Sequence, residues 1–265
     1  MPTSAPRVYA YDNDSAAAVS HHDALSGLLD EFSTSRAGNL LNLAGARCLD
    51  VAAGGGRFSL WLAEQVGDAG QVIATDIKPS HIPAHPRLQV LQHDIVNDPV
   101  PGTFDFVHAR LLLNHLPARE AVLRTLAGAL KPGGVLLTTD FAPETPANFV
   151  AHAPSIGDAD LLRRYHEAHM AVLTSHGNDR GWSRRAVGAM IDAGLIDVES
   201  VVYGRSWRGG GYGCQLLTAG MAQTRDELVA VGLAEDELDR VGELLSDPSV
   251  VLHGHPVYAT SGRRA

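Results

Sequence analysis

Short apolar runs alternate along the chain with stretches in which apolar residues recur every three or four positions. Five runs have the length and composition of buried strands: 48–53, 72–76, 88–92, 104–108 and 135–140. The stretches between most of them have the periodicity of amphipathic helices, and Phe58, Trp61, Leu62 and Val66 mark one such helical face. Strands and helices that alternate at this spacing predict a parallel sheet with helices on both faces.

Two links between these strands have features of their own. About ten residues, three of them proline, separate the second run from the third, and this is too short for an ordinary crossover helix. We therefore expect a short turn or a single helical turn there. Pro117 can start a helix that runs to Leu130, since proline fits the first helical turn. The Lys131-Pro132-Gly133-Gly134 segment that follows predicts a turn into the fifth strand.

The ends of the chain add further elements. Residues 1–15 are polar and predict a flexible arm. A helix from Ala16 is expected to break at Ser33-Thr34-Ser35, which would cap a second helix ending at Leu43. Beyond the fifth strand, the pattern predicts helices at 158–176 and 183–193 (with Ser183 as the cap), a strand at 196–203, a flexible segment at 209–211, one or two helices between 214 and 245, and a last strand at 250–260.

The sequence contains no internal repeat, so we predict a single domain over residues 16–265. Its expected parts are an N-terminal helical cap (16–45), a core (46–141), a helical lid (142–182) and the C-terminal part of the sheet (183–265).

Composition and charge narrow the classes of function. With 265 residues, 45% of them hydrophobic, the chain can bury a full core without a metal or a disulfide. A net charge of −9 argues against a nucleic-acid-binding surface. The first residues lack the apolar centre of a signal peptide, and no run reaches the roughly 20 apolar residues of a membrane span. Cys48 and Cys214 predict neither a disulfide framework nor a zinc site. We expect a soluble, cytoplasmic protein.

The strongest chemical signal is the glycine-rich segment Asp50-Val51-Ala52-Ala53-Gly54-Gly55-Gly56, which joins a strand to a helix. Glycines let the backbone pass close to a ligand, and the first amides of the helix favour electron-rich groups. Asp76 ends the next strand, where a carboxylate can accept both hydroxyls of a ribose. Asp94 follows the third strand. Because open α/β sheets bind ligands at the carboxyl ends of their strands, these three acids predict a nucleotide-like cofactor.

The arrangement resembles the class I S-adenosylmethionine-dependent methyltransferases, in the ubiquinone/menaquinone-biosynthesis-like branch of small-molecule enzymes and of actinobacterial type. The motifs that carry the resemblance are Leu49-Asp50-Val51-Ala52-Ala53-Gly54-Gly55-Gly56, Asp76, His93-Asp94-Ile95, the fourth strand with Ala109-Arg110, and Leu130-Lys131-Pro132-Gly133-Gly134. It is specific over about residues 46–141 and looser over 183–260. One departure is Ala52, which stands where the family has the first glycine of its motif.

The resemblance implies a Rossmann-like, doubly wound sheet of seven strands with the last strand antiparallel. It also implies that Asp76 binds the ribose hydroxyls and that Ile77 packs on the adenine. Asp94 would accept from the adenine amino group, with Ile95 beside it. Arg57 or Arg110 would offset the carboxylate of the methionine portion. The full set of cofactor residues implied in this way is Asp50, Ala52, Gly54, Gly56, Arg57, Asp76, Ile77, His93, Asp94, Ile95, Ala109 and Arg110.

Methyl transfer needs alignment of nucleophile and methyl group, and a general base helps when the acceptor is a hydroxyl or a protonated amine. Histidine suits that role near neutrality. The candidates are His115 after the fourth strand, His22 on the N-terminal helix, and Tyr165 and His169 on one face of the helix after the fifth strand. Each has a structural alternative, namely helix capping for His115, a solvated surface for His22, and packing for the other two. The sequence places no cluster of carboxylates with these histidines that would complete a metal site, so we predict no metal.

A small-molecule acceptor, from bacterial secondary metabolism, agrees with the acidic charge. The fourth strand also lacks the Asn/Asp-Pro-Pro-Tyr signature of enzymes that methylate nitrogens of bases or amides. Three alternatives stay open: methylation on oxygen, nitrogen or carbon, a cyclisation or rearrangement that does not consume the cofactor, and a non-catalytic cofactor-binding protein. We expect no membrane partner and no nucleic acid, and a homodimer is left open.

Overall fold

The computed structural model describes Tyr11 and residues 18–265. The chain divides into two compact units. The sheet unit comprises residues 29–142, 181–203 and 257–265, and the helical unit comprises Tyr11 and residues 18–28, 143–180 and 204–256. Helix α1 (Ala18–Leu40) contributes residues to both units. The single domain expected over 16–265 stays a prediction.

The sheet unit is built on seven strands. In chain order they are β1 (Arg47–Val51), β2 (Gln71–Asp76), β3 (Leu88–Gln92), β4 (Phe104–Arg110), β5 (Leu130–Phe141), β7 (Leu195–Tyr203) and β10 (Val257–Arg264). Their spatial order is β3-β2-β1-β4-β5-β10-β7. The first five are parallel, whereas β10 runs antiparallel to both of its neighbours. The predicted Rossmann-like sheet with an antiparallel last strand is therefore confirmed. Its switch point lies between β1 and β4, where such sheets bind ligands.

Helices cover both faces of this sheet. They are α2 (Arg57–Gln65), α3 (Arg119–Gly128), α6 (Trp182–Asp192) and the C-terminal part of α1. One buried core includes Leu123 of α3 and Trp182 of α6, while the other includes Phe58 of α2 and Ala37 of α1. The β2–β3 link is a single turn at Pro79–His81, as its length predicted.

The helical unit has its own small sheet. Its helices are α4 (Pro146–Phe149), α5 (Ile156–Ser175), α7 (Tyr212–Ala230) and α8 (Glu235–Ser246), together with the N-terminal part of α1. Strands β6 (Val150–His152), β8 (Ser206–Arg208) and β9 (Val251–His253) pair antiparallel in the order β6-β9-β8. In the part of the chain that the structure describes, no helix is long and apolar enough to cross a membrane.

Several predicted boundaries are wrong. Helix α1 continues through the Ser33-Thr34-Ser35 segment, where Ser33 is fully buried and bonded to a neighbouring strand. The helix expected from Pro117 begins at Arg119, after a short 3-10 turn at Leu113–His115. Residues 131–134 belong to β5, but they form a bulge in it, because Phe104 pairs with Leu130 and Phe106 with Val135, and Gly133 has a φ of 76°. Ser183 is a buried residue inside α6 and does not cap it.

Two further corrections concern residues 204–260. The last strand expected at 250–260 is two strands, β9 and β10, which belong to different sheets. The glycine segment 209–211, expected to be flexible, is a tight turn in which Gly209 packs against the backbone of Asp247 and Gly211 precedes helix α7. A Cβ atom at Gly209 would collide with that backbone, so glycine serves close packing there.

Candidate functional site

The glycine-rich turn after β1 has the left-handed backbone that its composition predicts. Gly54 (φ 56°) and Gly56 (φ 73°) adopt it, and so does Ala52 (φ 55°), at the position where the family motif has glycine. A Cβ atom at Gly56 would lie 2.8 Å from the side chain of Ile82, so no larger residue fits there. Alanine in this conformation stores local strain, which folded proteins retain mainly at functional sites.

Asp50 lies beneath this turn and joins three elements. Its carboxylate accepts a hydrogen bond from the Ser59 hydroxyl of α2 (2.5 Å) and one from Nδ1 of His108 on β4 (2.7 Å). All three side chains are buried. Desolvation lowers the pKa of His108 although Asp50 opposes that shift, and Nδ1 is the ring nitrogen that faces the carboxylate. The sequence pattern identified Asp50 but gave no role to His108 or Ser59.

Asp76 is the last residue of β2, and Ile77 directly follows that strand. Asp76 is 4% exposed, and its carboxylate accepts from the backbone N–H groups of Gly54 and Lys78, each at 2.9 Å. The acid at the end of β2 therefore reaches across to the glycine turn of β1. Ile77 is 49% exposed, which is unusual for a residue directly after a buried strand and leaves an apolar face open at this edge.

The residues after β3 form a separate turn. Asp94 is half-buried, and its carboxylate accepts from the backbone of Val96 and from the Asn97 amide. The ring of His93 is bonded through Nε2 to the carbonyl of Pro99. Ile95, expected beside the adenine, belongs to the buried core of the sheet unit. Of this motif, Asp94 has the carboxylate and the exposure that a ligand contact would need.

Arg57 and Arg110 both point toward one acid of helix α1. Nη1 of Arg110, at the end of β4, donates to Asp30 (2.8 Å) and to the hydroxyl of Ser33 (3.2 Å). Nε of Arg57, at the start of α2, lies 3.5 Å from the other oxygen of Asp30. Ala109, the neighbour of Arg110, is buried in the strand. The sequence pattern gave no indication of Asp30 and Ser33, because helical periodicity does not reveal that a polar residue bonds to a partner 77 or more positions away.

A fourth acid at a strand end was overlooked. Asp140 lies near the end of β5 and is 2% exposed. Burial raises its pKa to about 7, although the backbone N–H of Asn114, the indole of Trp182 and the charge of Arg119 partly offset the effect. The Asn114 N–H lies 3.5 Å from the carboxylate, within the short turn that carries His115. The strand-end rule that selected Asp76 would have found Asp140 if it had been applied to the fifth strand.

The helical unit contains a cluster of buried aromatic and imidazole rings. Nε2 of His169 is 2.9 Å from the hydroxyl of Tyr11, and the rings of Tyr11 and His21 are 4.9 Å apart. Desolvation lowers the pKa of His169 to about 3 and that of His21 to about 4. Tyr165 stacks near His169, donates its hydroxyl proton to the carbonyl of Leu217, and has a pKa raised by burial.

The remaining histidine candidates are less enclosed. His115 ends the short turn after β4 and is half-buried, as is His22 on α1. His176 caps the end of α5 and is bonded through Nε2 to Glu227 (2.8 Å). Within the described residues no group of three or more potential metal ligands occurs. Cys48 and Cys214 are free and buried, and burial raises the pKa of each thiol to about 12.

Comparison with known proteins agrees with this geometry. A family model described as a methyltransferase domain matches residues 21–186. The ubiquinone biosynthesis O-methyltransferase of Xanthomonas euvesicatoria pv. vesicatoria is 37% identical over 181 residues, which cover 63% of this chain and 70% of that protein. The methyltransferase str2 of Strobilurus tenacellus is 35% identical over 99 residues, covering 36% of this chain and 35% of that protein.

Among solved structures, the YcgJ protein of Bacillus subtilis superposes with a TM-score of 0.53 at 15% identity, covering 92% of this chain and 99% of that one. A putative methyltransferase from Bacillus halodurans gives a TM-score of 0.52 at 17% identity, covering 83% of this chain and 92% of that one. These two likenesses show the fold alone. The family match over most of the sheet unit shows the activity class: the chain belongs to the methyltransferase-domain family and is an S-adenosylmethionine-dependent methyltransferase.

Proposed function

We propose that the chain transfers a methyl group from S-adenosylmethionine to a small-molecule acceptor of bacterial secondary metabolism by in-line displacement. The cofactor supplies an electrophilic methyl group on a positively charged sulfur, so the protein has mainly to bind it, align the acceptor and exclude water. The net charge of −9 favours a small acceptor over a nucleic acid. The name of the Xanthomonas relative favours oxygen as the methylated atom.

One observation supports this assignment of the cofactor site most strongly. Asp76 is 4% exposed, and its carboxylate accepts a hydrogen bond from the N–H of Gly54. Each carboxylate oxygen has further lone pairs, so Asp76 can accept from the two ribose hydroxyls while it holds the turn. The exposed face of Ile77 suits one side of the adenine ring, and Asp94 suits its amino group. Gly54 and Gly56, with Ala52 and Ala109 beside them, would leave room for the methionine portion.

Asp50 and His93 have supporting parts in this proposal. Both oxygens of Asp50 already accept from Ser59 and His108, so it would fix the glycine turn from below. His93 would hold the loop that carries Asp94 through its bond to Pro99. Removing a buried acceptor that serves two donors leaves both donors unsatisfied, so the turn depends on Asp50.

For proton removal from a hydroxyl acceptor we propose His115, with His22 as the second candidate. Both are half-buried, whereas His169 has a pKa of about 3 and Tyr165 a raised pKa. A base with a pKa of 3 is too weak to take a proton from a hydroxyl near pH 7. We therefore assign Tyr165 and His169 a packing role.

Substituting Asp76 by alanine is expected to weaken S-adenosylhomocysteine binding about tenfold or more, because the ribose hydroxyls lose a charged acceptor worth roughly 1.5–3 kcal/mol. Isothermal titration calorimetry measures the dissociation constant, and a thermal melt verifies folding. The matched control is Glu120→Ala, which removes an exposed acid of the same unit. An unchanged dissociation constant in folded Asp76→Ala would overturn the site.

His115→Ala is expected to lower kcat for methyl transfer to a hydroxyl acceptor about 100-fold or more, with S-adenosylhomocysteine affinity unchanged, since general-base catalysis contributes about 10²–10⁴. The measurement is transfer of a labelled methyl group to a panel of phenols, amines and carbon acids, with His22→Ala in parallel. Labelled product together with S-adenosylhomocysteine supports methyl transfer. Cofactor binding without product from any acceptor contradicts it and favours cyclisation or simple binding.

A further inference from the structure

The arginine at the end of β4 is held by helix α1 in a way that the cofactor proposal does not explain. Nη1 of Arg110 makes bonds to Asp30 and Ser33, which lie one helical turn apart on α1. Its Nε and Nη2 make no hydrogen bond to any residue that the structure describes. Because all five N–H groups of a guanidinium lie in one plane, fixing Nη1 also fixes the direction of the other donors.

The position of this arginine is set by the register of the sheet. Ala109 pairs with Val51, the last residue of β1, so Arg110 lies one position beyond the point where the glycine turn begins. The side chain of Arg110 is only 15% exposed and that of Asp30 23% exposed. A guanidinium so enclosed, with unused donors, is suited to bind an anion bidentately at the glycine turn.

A second arginine lies near the same acid: Nε of Arg57, whose side chain is 63% exposed, is 3.5 Å from the other oxygen of Asp30. One carboxylate of α1 is thus hydrogen-bonded to the guanidinium group from β4 and lies near the one from the start of α2. An exposed ion pair between one acid and one arginine adds little stability. An acid near two arginines at a ligand-binding edge can instead determine where their side chains lie.

We propose that Asp30, assisted by Ser33, is a positioning residue that holds Arg110 for the carboxylate of the amino-acid portion of the cofactor. This inference rests on the proposed function. Asp30 itself touches no cofactor atom and acts through the arginine. Without Asp30, the Arg110 side chain must be ordered at the moment of binding, and that ordering costs affinity.

The test compares two ligands that differ in the group at issue. S-adenosylhomocysteine has the amino-acid carboxylate, whereas 5′-methylthioadenosine has the same nucleoside and sulfur without the amino-acid portion. Calorimetry on Asp30→Asn should show S-adenosylhomocysteine binding weakened about tenfold and 5′-methylthioadenosine binding changed less than about twofold. Ser33→Ala should raise the ratio of the S-adenosylhomocysteine dissociation constant to the 5′-methylthioadenosine dissociation constant by about twofold to threefold. In turnover, KM for S-adenosylmethionine should rise while kcat stays constant.

Glu31→Gln is the matched control, because it removes the same charge from the next position of α1, where the side chain is exposed. It should leave both affinities unchanged. Equal losses for both ligands in Asp30→Asn would mean a merely structural role, and unchanged or tighter S-adenosylhomocysteine binding would mean that Asp30 does not position the arginine. Each result overturns the inference. If the unsubstituted protein binds neither ligand, the proposed function fails first.

Discussion

Lowering the pH from 7 to 5 is expected to remove about 4 kcal/mol of unfolding free energy that two buried histidines, His21 and His169, contribute, and the opposite titration of Asp140 partly offsets this loss. In the folded chain their pKa values are held at about 4 and about 3 by desolvation. In the unfolded chain each has the ordinary value near 6.5. Below pH 6.5 the unfolded state therefore binds more protons, and stability falls as the pH decreases.

The direction and size follow from the two pKa values of each group. The stabilisation is fully present above pH 6.5 and is lost as the pH falls toward the folded-state values. Over pH 7 to 5 each histidine contributes about 2 kcal/mol, at 1.36 kcal/mol per pKa unit. His166 and His255, whose pKa values burial also lowers, act in the same direction.

Urea unfolding at pH 7 and pH 5 measures the net change in stability, and comparison with His169→Gln isolates the part that His169 contributes. Glutamine can still bond to the Tyr11 hydroxyl but does not titrate, so the variant should lose about 2 kcal/mol less than the unsubstituted protein between the two pH values. His253→Gln, at an exposed position of the same unit, is the control and should not change the slope. Identical pH dependence in all three proteins would show that His169 is not held neutral by burial.

Much of the sheet unit could be predicted because its signals are local. Each strand from β1 to β5 is one short apolar run, and the acids at their ends follow a rule of parallel sheets. The role proposed for Asp76 uses the same rule, whereas the role proposed for Ile77 was implied only by the family resemblance. By contrast, β9 and β10 form one continuous β-rich run in the sequence, and only the tertiary structure assigns them to different sheets.

The supporting residues of the site could not be predicted for a different reason. Ser59 resembles any helical serine until Asp50 is placed beneath the turn, and Ser33 reads as a helix breaker until Arg110 lies beside it. The Ser59–Asp50 and Arg110–Ser33 hydrogen bonds form only because α2 and α1 pack on the sheet. Local propensity also favoured a break at 33–35, but a buried hydroxyl with a partner is compatible with a continuous helix.

The second large effect concerns Asp140. Relative to the unsubstituted protein, the Asp140→Asn variant is expected to gain more unfolding free energy at pH 8 than at pH 5. Burial raises the pKa of Asp140 to about 7, above the value of 3.8 that it has when unfolded. Between these values the folded state binds more protons than the unfolded state, so stability falls as the pH rises. From pH 5 to pH 8 this loss amounts to about 2–3 kcal/mol.

Asparagine removes the titration and keeps the shape. Its oxygen can accept from the Asn114 N–H, as the carboxylate does. Urea unfolding at pH 5 and pH 8 should therefore show a gain for Asp140→Asn that is about 2–3 kcal/mol larger at pH 8. Asp192→Asn, which changes an exposed acid of the same unit, should show no such difference. An equal change at both pH values would mean that Asp140 is ionised throughout this range, and the turn that carries His115 would then be held by a charged carboxylate.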